Sequence, residues 1–186
     1  MTHEYTVDDY SVTIDTSRYL ADFRDEKKFL DFCRQCRNYG TCWACPPFDS
    51  DWTPIISAFK RVSLFATRIL PADRSLPLSS AGIFIRPERM RIEERLRCME
   101  QATVGRAFAF AGTCLYCPEG TCARKYGKPC RHPELVRPSL EAVGFDIGKT
   151  TKELFGIPLK WSTDGRIPEY LTLVCGLFHN DADLCL

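Results

Sequence analysis

Three segments decide the fold: RVSLFATRIL at residues 61–70, RPERMRIEERLRCMEQATV at 86–104 and RAFAFAG at 106–112. The first is apolar and β-branched enough for a buried strand, and the third also has strand character. The second has apolar residues at mostly helical spacing, and its Pro87 suits the first turn of a helix. The order strand, helix, strand predicts two adjacent parallel strands joined by a helical crossover.

The flanking segments add two strands and several helices to this unit. Residues 5–14 predict an edge strand, and the apolar run at 169–178 predicts a central strand. The sequence therefore predicts an α+β fold with a mixed sheet of about four strands and helices packed on it. Helices are predicted over residues 22–34, 52–60, 132–144 and 145–156.

The length and composition indicate one globular domain. The chain has 186 residues, of which 45% are hydrophobic, so it can bury a core and wholesale disorder is excluded. Its formal net charge of +1 gives no overall attraction to nucleic acid or to an anionic membrane. No apolar run approaches the roughly 18 residues of a transmembrane helix, and the acidic N-terminal residues lack the basic start of a signal peptide. We expect a cytoplasmic protein that binds neither membranes nor nucleic acid.

Cysteine is the most informative residue type in the chain. There are 11 cysteines, an odd number, in a chain that is long enough to fold without disulfides. In a reducing compartment, clustered cysteines more often bind metal. Eight of them form two groups of four. The first cysteine group is Cys33, Cys36, Cys42 and Cys45, and the second cysteine group is Cys114, Cys117, Cys122 and Cys130.

The other three cysteines, Cys98, Cys175 and Cys185, are scattered along the chain. Each is predicted to behave as a small buried hydrophobe without a metal. The grouped cysteines instead lie among glycines and prolines that impose turns. The sequence thus predicts one metal-binding domain over residues 1–186, with cysteine-rich loops at about 33–47 and 114–133.

The spacing within each group bears on the kind of metal. The first group has gaps of two, five and two residues, and the second has gaps of two, four and seven. Zinc sites usually separate their cysteine pairs by about 12–20 residues. Iron–sulfur clusters tolerate denser spacing, because the thiolates bind different irons. The gaps favour a 4Fe-4S cluster and leave zinc as the alternative.

Basic residues crowd the second group, where they either stabilise the negative charge of a thiolate site or form a solvated loop. With Tyr116 and Tyr126 they would also suit an RNA-binding knuckle, against which the neutral net charge argues. We expect His132 to lie beside a metal rather than to bind it. These basic residues are Arg124, Lys125, Lys128, Arg131 and His132.

Dithiol exchange is a minor alternative. A thioredoxin-type pair takes its low pKa from a helix N-terminus, but Pro118 and Gly120 follow the first pair of the second group at once. The first pair of the first group lies at a predicted helix C-terminus, where the helix dipole raises a thiol pKa. No hydrolase or phosphate-binding motif is present, so no catalytic residue is assigned. The carboxylates of Glu141 and Asp146 are interpreted as surface or capping groups.

Both cysteine groups resemble a family of uncharacterised bacterial and archaeal proteins described as predicted cysteine-rich metal-binding proteins. The resemblance covers roughly residues 30–180 and rests on two motifs. The first motif is matched by Cys33, Cys36, Tyr39, Gly40, Trp43, Cys45, Pro46 and Pro47. The second is matched by Cys130, Arg131, Pro133, Arg137, Pro138, Ser139, Glu141, Ala142, Gly144 and Asp146.

The resemblance implies metal binding and names no reaction. In the family the position of Cys42 need not be cysteine, which implies three ligands from the first group and a fourth position open to water, substrate or a partner. The middle gap of the second group, between Cys117 and Cys122, is longer here than in the family pattern, so the resemblance supports Cys114, Cys117 and Cys130 as ligands more directly than Cys122.

Together these observations predict a protein that holds one or two 4Fe-4S clusters and serves in electron transfer or as a redox accessory, with a redox partner protein. The second cysteine group would ligate one cluster, and Cys33, Cys36 and Cys45, with or without Cys42, would ligate the other. Structural zinc in a binding module is the alternative. A single site built from both groups is also left open by the sequence.

Overall fold

An antiparallel sheet in the order β1-β2-β4-β3 organises the computed structural model, which describes residues 4–112 and 114–182. Cys185 therefore lies outside the described residues. The strands are β1 (Tyr5–Asp15), β2 (Arg61–Pro71), β3 (Arg106–Phe108) and β4 (Leu171–His179). The α-helices are α1 (Thr16–Phe23), α2 (Glu26–Arg34), α3 (Trp52–Ser57), α4 (Gly82–Thr103) and α5 (Ile147–Phe155).

The position of β4 corrects one expectation about the sheet. β2 and β3 run parallel, as predicted, but they are not adjacent, because β4 lies between them and pairs antiparallel with both. β4 is apolar and buried on both faces along most of its length, so the centre of the sheet is where it buries the most surface. The α+β architecture, the N-terminal edge strand and the central C-terminal strand are confirmed.

The helices differ from prediction at three places. α4 begins at Gly82 rather than at residue 86, so Pro87 lies inside the helix and not in its first turn. The helix predicted over residues 22–34 is divided at Arg24, which pairs with Phe145 in an isolated β-bridge. The helix predicted over residues 132–144 is wrong, and only a 3-10 turn at Glu141–Val143 forms there. Pro138 disfavours a helical backbone at the residue before it, so the segment cannot continue as a helix.

The sheet carries a core on each face. On one face Tyr19 of α1 stacks on Phe145, with ring centroids 4.4 Å apart. On the other face α4 buries Leu96 against the sheet, where Cys175 is fully buried as predicted. Cys98 is exposed on α4, so its predicted burial is wrong: it lies two residues from Leu96, on the opposite side of the helix. None of the helices formed by the described residues has the length and hydropathy to cross a membrane.

Candidate metal centre

The first cysteine loop, which follows α2, is folded by a series of tight turns. The N–H of Cys36 donates to the carbonyl of Cys33 at 3.0 Å, and the N–H of Cys45 donates to the carbonyl of Cys42 at 3.1 Å. Gly40 supplies a left-handed backbone, with φ at +67°, and its N–H bonds to a carbonyl across the loop at 2.8 Å. Each pair of cysteines two residues apart is therefore closed by its own turn, as a metal-binding pair requires.

Arg124 of the second loop binds the backbone of the first loop through hydrogen bonds. Its guanidinium donates to the main-chain carbonyls of Cys42, at 3.0 Å, and Cys45, at 2.5 Å, and also to that of Pro47. A guanidinium has five N–H donors in a fixed plane, so it can bind several carbonyls at once. The sequence interpretation placed Arg124 among cations that offset thiolate charge, whereas its contacts are with the backbone of the other loop.

Trp43 makes the second connection between the loops. Its indole Nε1 donates to the carbonyl oxygen of Lys128 at 3.1 Å, and the guanidinium of Arg124 lies over its ring, 4.9 Å from the centroid. The hydrogen bond and the cation–π contact tie one side chain of the first loop to two residues of the second, Arg124 and Lys128. The two cysteine groups, separated in sequence, are thereby held side by side.

A cavity of about 240 Å³ lies between the loops. Five cysteines line it, and they come from both groups. Cys42 is buried, and the other four are partly buried. The cavity thus unites the complete second group with one member of the first: Cys42, Cys114, Cys117, Cys122 and Cys130.

The thiol of Cys42 lies where the two groups meet. A hydrogen bond from the Cys45 thiol lowers the pKa of Cys42 to about 5, against the opposing effect of burial. The N–H of Cys114 and the thiol of Cys122 are smaller contributors to the same lowering of the pKa. The same contact with Cys42, together with burial, raises the pKa of Cys45. Cys42 therefore interacts with members of both groups.

The remaining three cysteines of the first group form a separate set outside that cavity. The charges of Cys33 and Cys36 both raise the pKa of Cys45, so the three thiols lie within electrostatic range of one another. Burial raises the pKa of Cys33, and the charges of Cys36 and Glu141 add to that effect. The structure therefore brings Cys33, Cys36 and Cys45 together without bringing them to the wall of the shared cavity.

Two N–H donors point at sulfurs of the second group. Arg131 Nη1 lies 3.8 Å from the Sγ of Cys117 and donates to the carbonyl of Thr121 at 2.9 Å. The main-chain N–H of His132 lies 3.4 Å from the Sγ of Cys130. Donors of this kind stabilise the negative charge of thiolate ligands. Arg131 is one of the cations that the sequence predicted to stabilise thiolate charge, and its hydrogen bond to the Sγ of Cys117 is a contact of that kind.

The chemistry of these donors fits a thiophilic metal. All ten cysteines in the described residues are free thiols, and thiolates select zinc, iron–sulfur clusters and Cu(I). Within residues 4–112 and 114–182, no three Cys, His, Asp or Glu side chains are arranged to hold a metal ion directly.

Glu141 is a residue that the sequence interpretation placed wrongly. It is not a surface group, because its Oε2 is buried without a hydrogen-bond partner and burial raises the pKa of its carboxyl. It follows Pro138 and precedes Gly144, so the sequence indicated a turn but not which way the side chain faces. Asp146, by contrast, does cap a helix, because its Oδ1 accepts from the N–H of Lys149 at 2.8 Å.

Comparison with known proteins identifies one family. The model of the family described as "Predicted metal-binding protein (DUF2284)" matches residues 20–177. A comparison with curated proteins and a comparison with solved structures each find no match. The matched region includes both cysteine groups, the end of α1, α2 through α5, and the sheet beyond β1 as far as residue 177 of β4. The chain belongs to this family of predicted metal-binding proteins.

Proposed function

We propose that this protein holds one or two 4Fe-4S clusters and serves in electron transfer or as a redox accessory protein. The observation that carries the proposal is the shared cavity, where five free thiols from two loops meet N–H donors directed at two of the sulfurs. Clusters of this type are held by four cysteine thiolates and supply one-electron transfer. The closely spaced cysteines and their free thiols both support this assignment.

The second cysteine group would hold one cluster, and Cys33, Cys36 and Cys45 would hold the other. Cys42 would lie between them, in contact with Cys45 and Cys122. Arg131 and the N–H of His132 would stabilise charge on the ligand sulfurs, and hydrogen bonds to sulfur are one of the features that set a cluster's reduction potential. A redox partner protein would dock beside the cavity, where Lys125 and Lys128 are exposed. Free thiols of this number suit a reducing, cytoplasmic location.

Zinc is the second candidate, and a specific contact favours it. The thiols of Cys42 and Cys45 hydrogen-bond each other. Thiolates that bind one tetrahedral zinc, each about 2.3 Å from the metal, lie close together, and Cys42 also interacts with Cys122 of the second loop. In this case the metal would join the loops as a structural element of a binding module.

Anaerobic purification followed by a visible absorption spectrum and by iron, sulfide and zinc analysis distinguishes the two candidates. We expect a brown protein with equal amounts of iron and acid-labile sulfide. A colourless protein with stoichiometric zinc, purified under the same conditions, would contradict the cluster proposal. Reduction by dithionite should then bleach the visible absorption of the cluster form, whereas zinc protein would show no change.

A further inference from the structure

The charges of this protein are segregated, and the two cysteine loops hold the positive share. Residues 33–47 and 114–133 together carry six arginines and lysines and one glutamate, which is a net charge of +5. The whole chain has a formal net charge of +1, so the residues outside the two loops carry −4. Because the loops lie side by side, the protein has a positive end, and such a field orients a charged partner as it approaches.

Three of the six cations are bound to other groups of the protein. Arg34 pairs with Asp31 at 2.6 Å. Arg124 binds main-chain carbonyls of the first loop, and Arg131 contacts a sulfur and a carbonyl of its own loop. These three arginines are therefore already occupied within the domain.

The other three cations are exposed, and they have no ion-pair partner among residues 4–112 and 114–182. They are Arg37, Lys125 and Lys128. Arg37 and Lys125 both line the cavity between the loops, one from each loop, and both are exposed, so they flank its opening. A charged partner that approaches this opening meets a cation on either side of it.

Tyr126 lies next to Lys125 and leaves 66% of its surface exposed. It ends the 3-10 turn Ala123–Tyr126, after which Gly127 takes a left-handed backbone with φ at +64°. The N–H groups of Gly127 and Lys128 close this turn by donating to main-chain carbonyls within it, at 3.0 and 3.1 Å. Tyrosine is enriched in protein–protein interfaces, and a residue that is already held in place loses less entropy on binding.

We propose that this surface, the cationic rim formed by Arg37, Lys125, Tyr126 and Lys128, docks a protein that presents an acidic face. The three cations pair with carboxylates of that protein, and the ring of Tyr126 packs against it between them. The proposal rests on the proposed function in one respect, because it takes the docked protein to be the redox partner. Electron-transfer complexes have small interfaces, and complementary charge speeds their association more than buried area does.

A nucleic acid is a polyanion that the same cations and tyrosine would attract, but the charge of the rest of the chain argues against it. Binding along a strand gains affinity from each phosphate that is neutralised. The rim offers three unpaired cations, and the residues outside the loops carry −4, so a strand that extends past the rim meets a repulsive charge. An acidic protein face of limited size meets the rim alone.

Fluorescence anisotropy of labelled probe proteins tests the rim on the purified, metal-loaded protein. The probe is an acidic plant-type 2Fe-2S ferredoxin, and a basic cytochrome c is its control of opposite charge. We expect ferredoxin to bind with a Kd that rises about tenfold between roughly 20 and 200 mM salt, and cytochrome c not to bind. Absent or salt-independent ferredoxin binding, equal binding of cytochrome c, or tighter binding of a single-stranded oligonucleotide would overturn the proposal.

Variants locate the contact. Arg37→Gln and Lys125→Gln should each weaken ferredoxin binding about threefold at low salt and reduce its salt dependence, because each removes one charge pair. Arg86→Gln removes the same charge at an exposed position on α4, outside both loops, and should leave binding unchanged. Tyr126→Ala should weaken binding without changing its salt dependence. Equal effects of Lys125→Gln and Arg86→Gln would show that ferredoxin responds only to overall charge.

Binding and metal content are separate measurements, so the two proposals can fail independently. Anisotropy reports docking whether or not an electron is transferred. A colourless zinc protein that binds ferredoxin at the rim would contradict the cluster proposal alone, and a brown iron–sulfur protein that does not bind it would contradict the rim alone. Metal analysis of Arg37→Gln and Lys125→Gln shows whether the cavity between the loops is still filled.

Discussion

Arg124 Nη1 donates to the carbonyl oxygen of Cys42 at 3.0 Å, so a side chain of the second cysteine loop binds the backbone of the first. We expect Arg124→Gln to release metal to a chelator about tenfold faster, because hydrogen bonds to a charged group contribute roughly 1.5–3 kcal/mol each. Metal release is followed by the absorbance of a chromogenic chelator. Lys128→Gln, which removes an exposed charge from the same loop, is the matched control and should match the wild type. Equal release by the wild type and Arg124→Gln would show that the loops stay together without the arginine.

Single cysteine substitutions test for two separate sites. Cys117→Ser should lower the metal content of the second group and leave that of the first largely intact, because Cys33, Cys36 and Cys45 lie outside the shared cavity. Cys98→Ser, at an exposed cysteine on α4, should change neither. The measurement is metal and sulfide content per chain after anaerobic purification. Loss of all metal from Cys117→Ser would indicate one site built from both groups.

Cys42 is expected to influence both sites. Its thiol interacts with Cys45 of the first group and with Cys122 of the second, so Cys42→Ser should alter the spectrum of each metal. The two signals are separated by recording Cys42→Ser alone, with Cys117→Ser, and with Cys45→Ser. Cys175→Ser, at a buried cysteine in the sheet, serves as the control for a changed thiol count. Spectra that differ from the wild type in one site alone would assign Cys42 to that site.

A clamp joins the C-terminal part of α4 to β3 and to the segment that follows the second cysteine loop. Arg137 Nε and Nη2 bind both carboxylate oxygens of Glu100, at 2.7–2.9 Å, and Glu100 also accepts from the N–H of Ala107 on β3. Glu100→Gln should destabilise the protein by about 3 kcal/mol, because it leaves a largely buried guanidinium without its counter-charge. Urea unfolding followed by circular dichroism gives the free energy of unfolding.

The control for the clamp is an exposed ion pair. Asp22→Asn breaks the pair of Asp22 with Arg18 on the surface of α1, and it should cost less than about 1 kcal/mol. Both variants are compared at the same metal content, since bound metal adds to stability. Similar losses for Glu100→Gln and Asp22→Asn would mean that the clamp contributes no more than a surface pair.

A pH dependence is expected from Asp9 on β1. Burial alone would raise its pKa, but hydrogen bonds from Arg91 and Thr67 and the charge of Arg91 outweigh burial, so the pKa is lowered. Because the pKa of Asp9 is lower in the folded state, its ionised form stabilises the fold at pH values above the unfolded-state pKa of about 3.9. This stabilisation is lost as the pH falls through the pKa of the folded state. Asp9→Asn should therefore cost roughly 0.5–1 kcal/mol at neutral pH, with a smaller cost in acid.

Urea unfolding at pH 7 and at low pH measures this difference. Glu153→Gln, at an exposed position on α5, is the control and should behave as the wild type at both. A cost of Asp9→Asn that stays constant between the two pH values would exclude ionisation of Asp9 as its cause.

The sequence predicted the long strands and the positions of the two cysteine loops because each has a strong local pattern. Apolar runs locate β2 and β4, and the cysteine spacing locates both loops. The insertion of β4 between β2 and β3 is a long-range pairing, and no local pattern specifies it. The spacing of the cysteines indicates which four belong to each group. It does not indicate the contact between Cys42 and Cys122, which depends on how Arg124 and Trp43 join the loops. Glu141 was misplaced for the same reason: the direction of its side chain is set by packing of the whole domain.

The central position of β4 also determines the order in which the fold is completed during synthesis. β4 follows both cysteine loops in the chain, so all eight grouped thiols are synthesised before the strand that joins β2 to β3. Until β4 is made, β3 has no partner strand, so the sheet on which the two loops are mounted is incomplete. A nascent chain therefore carries all eight grouped thiols before the sheet can close around its central strand.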